Sequence, residues 1–408
     1  MSDLSQGWQT KKLDQIAEVV NGGTPKTKVE EYWGGSNLWI TPAEMGKRNS
    51  PFVNQTKRTL SDQGLQNSSA SLVPEYSVIM STRAPIGHLV INTAPMAFNQ
   101  GCRGMIPGDE LDVKYLYYYL LGNIKLLNDL GTGATFKELA AGKLKSISVP
   151  YPSIKEQKRI VAILDEAFAG IDTAIANTEQ NLANARELFE SNLNNTFIQR
   201  GEGWKDITVG NLAACRLGKM LDKNKNKGKF KAYLRNINVQ WFDVQIDDLL
   251  EMRFEENEFE KYQVQKGDLL ICEGGYPGRA AIWDKEPPIF YQKALHRVRC
   301  NEPKYNRWLL YYLFLSDANG SLKQYFTGAG IQHFTGQALK KVVVPVPPVN
   351  RLDDLLGRFE NLHEQTNQLV SIYQRKLLSL SDLKQSLLQK AFSGELTSGN
   401  KLMDEAVA

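Results

Sequence analysis

The sequence predicts an α+β protein in which two similar globular domains alternate with two long helices. The helices are expected to pack as an antiparallel coiled coil with pseudo-two-fold symmetry. Three observations lead to this prediction. The chain has 408 residues, about twice the usual length of one domain. Its halves repeat the same order of motifs at a spacing of about 195 residues. Each repeat ends in a heptad pattern typical of a long helix.

The composition is that of an ordinary folded protein, with 42% hydrophobic and 23% charged residues. No run approaches the roughly 20 apolar residues that span a bilayer, and the polar N-terminus lacks an apolar signal core. The spacing of the four cysteines fits neither a zinc site nor a disulfide framework. We therefore expect a cytoplasmic protein whose cysteines are reduced thiols.

Each half carries a Gly-Trp pair, an apolar run, a Pro/Gly turn, an aromatic segment, a Gly-x-Gly stretch and a β-branched run that ends in proline. In the first half these are residues 7–8, 78–80, 85–87, 115–120, 131–133 and 144–150. In the second half they are residues 203–204, 269–271, 277–278, 308–313, 328–330 and 339–345. So many ordered matches at nearly one offset indicate a duplicated domain. The aromatic segments are flanked by apolar residues, which predicts amphipathic core helices rather than base-stacking platforms.

A heptad seam follows the proline cluster of each half. The first seam comprises Val161, Leu164, Phe168, Ile171, Ile175, Leu182, Ala185 and Phe189, with Thr178 as a polar break. The second comprises Leu355, Phe359, Leu362, Thr366, Leu369, Tyr373, Leu380, Leu383 and Leu387. A lone helix would expose such a seam, so we expect the two helices to pack together. The predicted bounds are 1–152 and 201–348 for the domains, 153–200 and 349–396 for the helices, and 397–408 for a flexible tail.

The formal net charge is +4, and its excess lies in the second half. Between Arg216 and Arg235, lysines and arginines face a single acid, Asp222. A basic run interleaved with Asn and Gly is typical of a mobile loop that contacts phosphates. A solvated surface loop is the alternative, and charge alone does not decide between them.

The sequence shows no catalytic constellation. Its four histidines are scattered without zinc-type spacing. It has no Gly-x-x-x-x-Gly-Lys-Ser/Thr phosphate loop and no Asn/Asp-Pro-Pro-Tyr segment of the kind used to methylate an exocyclic amine. The Glu156-Gln157-Lys158 string resembles half of a nuclease signature, but it falls at a helix start, without the preceding Asp on a strand. These absences together favour a binding protein that is not an enzyme.

Several residue strings resemble motifs of one known family. They are Gly22-Gly23-Thr24-Pro25, Tyr32-Trp33-Gly34-Gly35, Trp39-Ile40-Thr41-Pro42, Ser81-Thr82-Arg83-Ala84-Pro85-Ile86-Gly87, Asn99-Gln100-Gly101-Cys102, Val149-Pro150-Tyr151-Pro152 and Lys390-Ala391-Phe392-Ser393-Gly394-Glu395-Leu396-Thr397. Together they resemble the specificity subunit of Type I restriction–modification systems over nearly the whole chain. The second half departs from the pattern, with Leu217-Gly218-Lys219-Met220 in place of the first string. Residue roles therefore cannot be copied from one half to the other.

The resemblance implies two target recognition domains that each read one half of a bipartite, gapped DNA target. It also implies that the helices fix the gap and dock two modification subunits, which bring S-adenosylmethionine and methylate adenine. Restriction/translocase subunits, which use ATP and Mg, would join that core, so this chain itself would hold no cofactor or metal. Two alternatives stay open: the recognition module of another split DNA-modifying system, and a coiled-coil scaffold without DNA binding.

Reading bases requires hydrogen-bonding side chains at groove edges, chiefly Arg, Lys, Asn and Gln, whereas contacts to phosphates position the domain. The candidates in the first domain are Asn21, Thr24, Lys26, Arg83, Gln100, Arg103, Thr132, Thr135 and Lys137. Those in the second are Lys219, Lys223, Lys225, Lys227, Arg235, Tyr276, Arg279, Gln332 and His333. Arg83 is the leading candidate because the following Pro/Gly turn can hold it at a surface; an internal ion pair is its alternative. The lysines are expected to contact phosphates.

Overall fold

The computed structural model describes residues 7–83, 85–133, 137–222 and 224–398. Strands and helices are mixed throughout, and two helices have 45 residues each, so the predicted α+β class with two long helices is confirmed. The chain divides into two compact units. The first unit comprises residues 1–178 and 375–408, and the second comprises residues 179–374. Each long helix contributes one segment to each unit.

The first part of the chain contains ten strands and seven α-helices within the described ranges. They are β1 (Gln9–Lys12), α1 (Leu13–Ile16), β2 (Ala17–Asn21), β3 (Trp33–Ile40), α2 (Pro42–Met45), β4 (Phe52–Val53), β5 (Arg58–Leu60), α3 (Asp62–Gln66), β6 (Val78–Thr82), β7 (Ile86–Asn92), β8 (Met96–Phe98), β9 (Cys102–Pro107), α4 (Val113–Gly122), α5 (Ile124–Leu130), α6 (Ala141–Lys145), β10 (Ser148–Tyr151) and α7 (Ile154–Ile198). A 3-10 helix spans Glu30–Tyr32.

The first unit is built on a five-stranded sheet in the order β2-β9-β6-β7-β4 and a three-stranded sheet in the order β5-β3-β8. Strand β6 is central and all five of its residues are buried, as expected where both faces of a strand are covered. Strand β1 pairs antiparallel with β10, with Thr10 opposite Pro150. The chain thus enters and leaves the globular part of this unit at adjacent points, and β10 leads into α7.

The second part of the chain repeats this arrangement. Its elements are β11 (Lys205–Thr208), α8 (Val209–Leu212), β12 (Ala213–Leu217), β13 (Lys229–Leu234), β14 (Val239–Gln240), β15 (Asp243–Val244), β16 (Leu250–Phe254), α9 (Phe259–Tyr262), β17 (Gln263–Val264), β18 (Leu269–Cys272), β19 (Ala280–Ile282), β20 (Ile289–Tyr291), β21 (Leu295–Cys300), α10 (Lys304–Ala318), α11 (Gly336–Lys341), β22 (Val343–Val346), α12 (Val349–Ser393) and α13 (Glu395–Ser398). Further 3-10 helices span Asn236–Asn238, Glu256–Glu258 and Ser321–Tyr325.

The sheets of the second unit resemble those of the first, but their strands are divided four and four rather than five and three. Two four-stranded sheets have the orders β12-β21-β18-β19 and β16-β13-β20-β17, and β11 pairs with β22 as β1 pairs with β10. The one parallel pair β13–β20 corresponds to the parallel pair β3–β8. The duplication inferred from the motif spacing is therefore also a duplication of topology.

The two aromatic segments form core helices, as predicted. In α4 the side chain of Asp112 caps the helix by accepting hydrogen bonds from the backbone of the first turn. The Tyr115 hydroxyl of α4 donates to the carbonyl of Pro150 at 2.8 Å. In the second unit the Trp308 indole of α10 donates to the carbonyl of Pro345 at 2.8 Å. Each helix thus ties the core to the last strand before a long helix.

In the second unit, α7 and α12 pack through aromatic rings. The ring of Phe189 on α7 lies 5.2 Å from that of His363 on α12. Further along α7, the ring of Phe197 lies 6.0 Å from that of Phe359. The contacts move back along α12 as they advance along α7, so the two segments run antiparallel in this unit. In the first unit, Lys384 of α12 pairs with Asp172 of α7.

Two positions of the predicted second seam are wrong. Leu369 and Leu383 were expected in the core, but both side chains are exposed. Leu352 and Leu388 are buried instead. A straight helix has 3.6 residues per turn rather than 3.5, so its buried face drifts away from a strict heptad over several turns.

The four cysteines are free, as expected, and three of them are buried. Burial raises the pKa of the Cys102 thiol to about 12, so this side chain behaves as a small apolar group. Within the described ranges, no helix is both long and apolar enough to cross a membrane.

Candidate nucleic-acid interface

Four loops of the first unit meet at one surface, which we call the first loop surface. In the described residues they are 21–26 at the end of β2, 82–83 and 85 between the end of β6 and the start of β7, 99–103 at the start of β9, and 131–133 and 137–138 after α5. These loops contain every site residue predicted for the first domain. Residues 84 and 134–136 lie outside the described ranges, so the predicted Thr135 has no structural account.

Peptide groups hold these loops together. The amide of Gly22 donates to the carbonyl of Cys102 at 3.3 Å, and the amide of Thr82 donates to that of Gly101 at 2.8 Å. The amide of Leu139 donates in turn to the carbonyl of Thr82 at 2.9 Å. We call this set of backbone hydrogen bonds the loop frame. Because the bonds join backbone groups, they form whatever side chains most of the loop residues carry.

Six predicted side chains of this surface are exposed: Asn21, Lys26, Arg83, Gln100, Thr132 and Lys137. Arg83 forms no ion pair with a residue of the described ranges, and its backbone forms a bridge to Glu138. Its guanidinium can therefore reach a ligand outside the protein. Thr24 is half-buried, and its hydroxyl accepts a hydrogen bond from the Asn99 amide at 2.8 Å.

Arg103 has an internal role that the sequence did not reveal. Its Nη1 donates to the carbonyls of Gln100 at 3.0 Å and Cys102 at 2.9 Å. Its Nε is buried and has no hydrogen-bond partner within the described residues. Much of the guanidinium therefore braces the turn that carries Gln100, so we leave Arg103 out of the proposed base-reading set.

The second unit has a corresponding surface, which we call the second loop surface. Its four loops are residues 217–219, 273–279, 292–295 and 327–333, and the same bonds join them. The amide of Gly218 donates to the carbonyl of Leu295 at 3.0 Å, and that of Glu273 donates to the carbonyl of Ala294 at 2.9 Å. The amide of Phe334 donates to the carbonyl of Glu273 at 2.7 Å.

One glycine is required at the same place in both surfaces. A Cβ on Gly22 would lie 2.1 Å from the carbonyl oxygen of Asn99, and a Cβ on Gly218 would lie 2.3 Å from that of Gln292. Side chains are therefore excluded at both positions. Gly22, the first residue of the string Gly22-Gly23-Thr24-Pro25, therefore corresponds to Gly218, the second residue of Leu217-Gly218-Lys219-Met220.

Lys219 does not fit the predicted phosphate contact. The residue is only 6% exposed, and its ammonium pairs with the Glu258 carboxylate and lies 5.3 Å from the Phe254 ring centroid. An ammonium engaged by these internal partners is not available to a phosphate. We therefore remove Lys219 from the proposed DNA-contacting set.

Arg235 and Arg279 are also engaged internally. The Nη2 of Arg235 donates to the Asp248 carboxylate at 2.8 Å. The Nη2 of Arg279 donates to the carbonyl of Asn236 at 3.0 Å, and the guanidinium lies 5.2 Å from the Tyr276 ring centroid. Both Nε atoms are buried without a hydrogen-bond partner in the described part of the chain. These arginines shape the surface, whereas the Tyr276 ring is exposed on it.

The remaining predicted residues of the second domain are exposed: Lys225, Lys227, Gln332 and His333. Lys223 lies outside the described residues. The Nζ of Lys225 lies 3.9 Å from Oδ2 of Asp222, and 87% of the Lys225 side chain is exposed. This contact therefore leaves the Lys225 ammonium available to a phosphate. Gln332 and His333 belong to the loop at 327–333, at the second loop surface.

Sequence reasoning missed Lys293, which is exposed and corresponds to Gln100. Aligning Phe98-Asn99-Gln100 with Tyr291-Gln292-Lys293 reveals it, since both strings lie just before the bonded turn. Burial raises the pKa of the neighbouring Glu273 carboxyl, while His333 and Lys293 oppose this shift.

The donors of both surfaces suit recognition rather than bond breaking. Guanidinium, ammonium and amide groups can bind phosphates and base edges. Across the described residues, no group of three or more His, Cys, Asp or Glu side chains is placed to hold a metal ion. Two repeated domains with such surfaces, together with two long helices, define a bivalent recognition protein.

Comparison with known proteins identifies the family. The family model described as the type I restriction modification DNA specificity domain matches residues 5–183 and 201–370. The chain therefore belongs to this family, and DNA sequence specificity is the function that the family and its curated relatives support. The specificity subunit of the type I restriction enzyme MjaIX from Methanocaldococcus jannaschii is 26% identical over 96% of this chain and 94% of its own length.

Solved structures agree on the fold. One chain, from a structure described as the basis of complex assembly and conformational transition of the type I R-M system, matches with a TM-score of 0.79 at 16% identity. That match covers 97% of this chain and all of the other. The HsdS subunit from Thermoanaerobacter tengcongensis matches with a TM-score of 0.58 at 16% identity, over 96% of this chain and 98% of the other.

Proposed function

We propose that this chain reads a bipartite, gapped DNA target, each loop surface binding one half, and that it performs no chemistry itself. The observation that supports the proposal most directly is that both units have the same loop frame but carry different side chains on it. The corresponding pairs are Arg83 and Gly274, Gln100 and Lys293, Lys137 and Gln332, and Glu138 and His333. Two copies of a frame with different donors and acceptors suit two different base sequences.

The proposal divides the exposed residues by chemistry. Arg83, Gln100 and Gln332 can form paired hydrogen bonds with base edges, since guanidinium matches guanine and a primary amide matches adenine. Lys225, Lys227 and Lys293 are charges on flexible stems and suit phosphates, which position the domain without reading sequence. Lys26 and Lys137 belong with these phosphate contacts.

We further propose domain bounds and partners. Residues 1–152 and 201–348 would be the recognition domains, with the helices at 153–200 and 349–396 as spacers and a tail after them. The outward faces of the helices would dock two modification subunits, and restriction/translocase subunits would complete the assembly. S-adenosylmethionine, ATP and Mg would belong to those partners. The support is the family membership and the exposed apolar residues Leu369, Ile372 and Leu378 on α12.

The test is to express the chain with the modification subunit of the same restriction system and to map N6-methyladenine across a host genome. We expect a two-part motif with a fixed gap that appears only when this chain is present. The matched control exchanges residues 1–152 for those of another family member, which should change one half of the motif and leave the other half and the gap intact. Methylation that is the same with and without this chain would contradict the proposal.

Arg83→Ala is expected to weaken binding of the cognate DNA by roughly 5- to 150-fold, the range for loss of one bidentate base contact. The measurement is fluorescence anisotropy of labelled duplexes with the complex of this chain and its modification subunits. Lys125→Ala is the control, since Lys125 has 94% of its side chain exposed and lies on α5 rather than in one of the four loops. Equal losses for the two variants would mean that Arg83 contributes only general charge.

A further inference from the structure

The loop at 327–333 is closed at its base by two hydrogen bonds. The amides of Thr327 and His333 each donate to the other's carbonyl, at 2.9 and 2.8 Å. Gly328 has a φ of +106°, and a Cβ there would lie 2.2 Å from the carbonyl oxygen of Ile331. The turn therefore needs glycine at this position, and its shape is fixed from within.

The loop is also anchored to the core. Phe334, which follows it, is fully buried, and its ring lies 5.5 Å from that of Phe326 on the other side of the loop. The amide of Phe334 donates to the carbonyl of Glu273 at 2.7 Å. The loop thus projects from a rigid base at the second loop surface, with its tip at residues 329–332.

Ile331 at this tip is 75% exposed, more than any other large hydrophobic side chain in the described ranges. Single exposed apolar residues are common on protein surfaces. This one differs in its placement, because it lies between Gly330 and the exposed Gln332 among the loops that we propose to read DNA. An apolar side chain there has no role in the core.

The first repeat has a loop of the same length. The bonded pair Thr132 and Glu138 corresponds to Thr327 and His333, so the residue that corresponds to Ile331 is Phe136. Phe136 lies outside the described residues, and the correspondence is one of sequence alone. Both repeats therefore carry a large apolar residue at the same place in the chain.

We propose that Ile331 contacts the C5-methyl group of a thymine in the half-site that the second loop surface reads. This inference rests on the function proposed above. The thymine methyl is the one apolar group that a base pair presents in the major groove, so it is the feature that an exposed isoleucine can recognise. The neighbouring Gln332 carries an amide, which pairs with adenine, the partner of thymine.

The experiment replaces each thymine of the second half-site in turn by deoxyuridine, which removes only the methyl group. Binding is measured for the complex of this chain with its modification subunits. At one position, deoxyuridine should weaken binding by the wild-type complex about fourfold, as expected for one buried methyl group. Ile331→Ala should weaken binding of thymine DNA at least as much, and should abolish the difference between thymine and deoxyuridine at that position.

Ile246→Ala is the matched control, because Ile246 is exposed in the same unit but lies outside the four loops. It should preserve the discrimination. Discrimination that survives in Ile331→Ala would overturn the inference. A rise in fluorescence of 2-aminopurine in the half-site that depends on Ile331 would overturn it too, since it indicates an unstacking wedge. If the wild-type complex does not distinguish cognate from scrambled DNA, the proposed function itself fails, and the inference with it.

Discussion

Phe359→Ala is expected to lower the free energy of unfolding of the second unit by about 4 kcal/mol. Phe359 is 1% exposed, and its ring stacks on that of Trp308 at 5.5 Å with an interplanar angle of 16°. It also lies 6.0 Å from the ring of Phe197. The side chain therefore joins α12 to both α7 and α10, and its loss leaves a cavity at the point where these three helices meet.

Urea unfolding followed by tryptophan fluorescence provides the measurement, because Trp308 is in direct contact with the changed site. Leu378→Ala is the control on the same helix. Its side chain is 67% exposed, so we expect little change in stability. Similar midpoints for Phe359→Ala and the wild-type protein would show that α12 does not depend on this contact.

Glu258→Gln is expected to destabilise the second unit by about 3 kcal/mol, because it leaves the buried Lys219 ammonium without its counter-charge. The double variant Lys219→Met with Glu258→Leu should recover most of this loss, since both charges then disappear together. Urea unfolding measures the stability, and anisotropy measures binding of the cognate DNA. We expect the double variant to bind DNA as the wild-type chain does.

The exposed neighbour Glu256 provides the control. It pairs with Lys229 at 2.7 Å with both side chains more than 70% exposed, so Glu256→Gln should change stability little. If the double variant were as stable as the wild-type protein but lost DNA binding, Lys219 would have to contact DNA after all.

The same pair predicts a pH dependence. Burial alone would raise the pKa of the Glu258 carboxyl, but hydrogen bonds from Lys219 and from the Glu255 amide outweigh it and hold the pKa below the usual 4.5. The folded state therefore binds the proton of this carboxyl less tightly than the unfolded state does. Its stabilisation is present above pH 4.5 and is lost as the pH falls through the lower pKa of the folded state.

The repeat could be predicted from the sequence because it rests on local signals. Pro/Gly turns, β-branched runs ending in proline and aromatic helices each leave a short pattern, and their common order revealed the duplicated topology. The match between the two Gly-x-Gly stretches was wrong by two positions, since the bonded pairs make Gly133 correspond to Gly328. Residues of the first loop surface could also be predicted from the sequence, because Arg83, Gln100 and Lys137 lie in turns that glycine and proline mark. Local chemistry alone places such residues at a surface.

The roles of three basic residues depend on distant partners and could not be predicted. Lys219 is buried because Glu258 lies beside it, 39 positions along the chain. Arg279 bonds to a carbonyl 43 positions away, and Arg235 to Asp248. A run of positive charge resembles a solvated loop in the sequence whether its members face water or the core. The exposure of Leu369 and Leu383 could not be predicted either, because it depends on a drift of the buried face that accumulates over several helical turns.

Most of the bonds that join the four loops of each surface run between peptide groups, and peptide groups are the same in nearly every residue. The backbone groups of these residues therefore hold the loops together, while their side chains remain available to contact a ligand. Arg83, Gln100 and Gln332 are exposed, so exchanging any of them for another polar side chain is expected to leave these bonds intact. In the function proposed above, the free energy of unfolding then sets little constraint on which bases are read. On that proposal, point substitutions at the loop tips would change the DNA target while the fold stays stable.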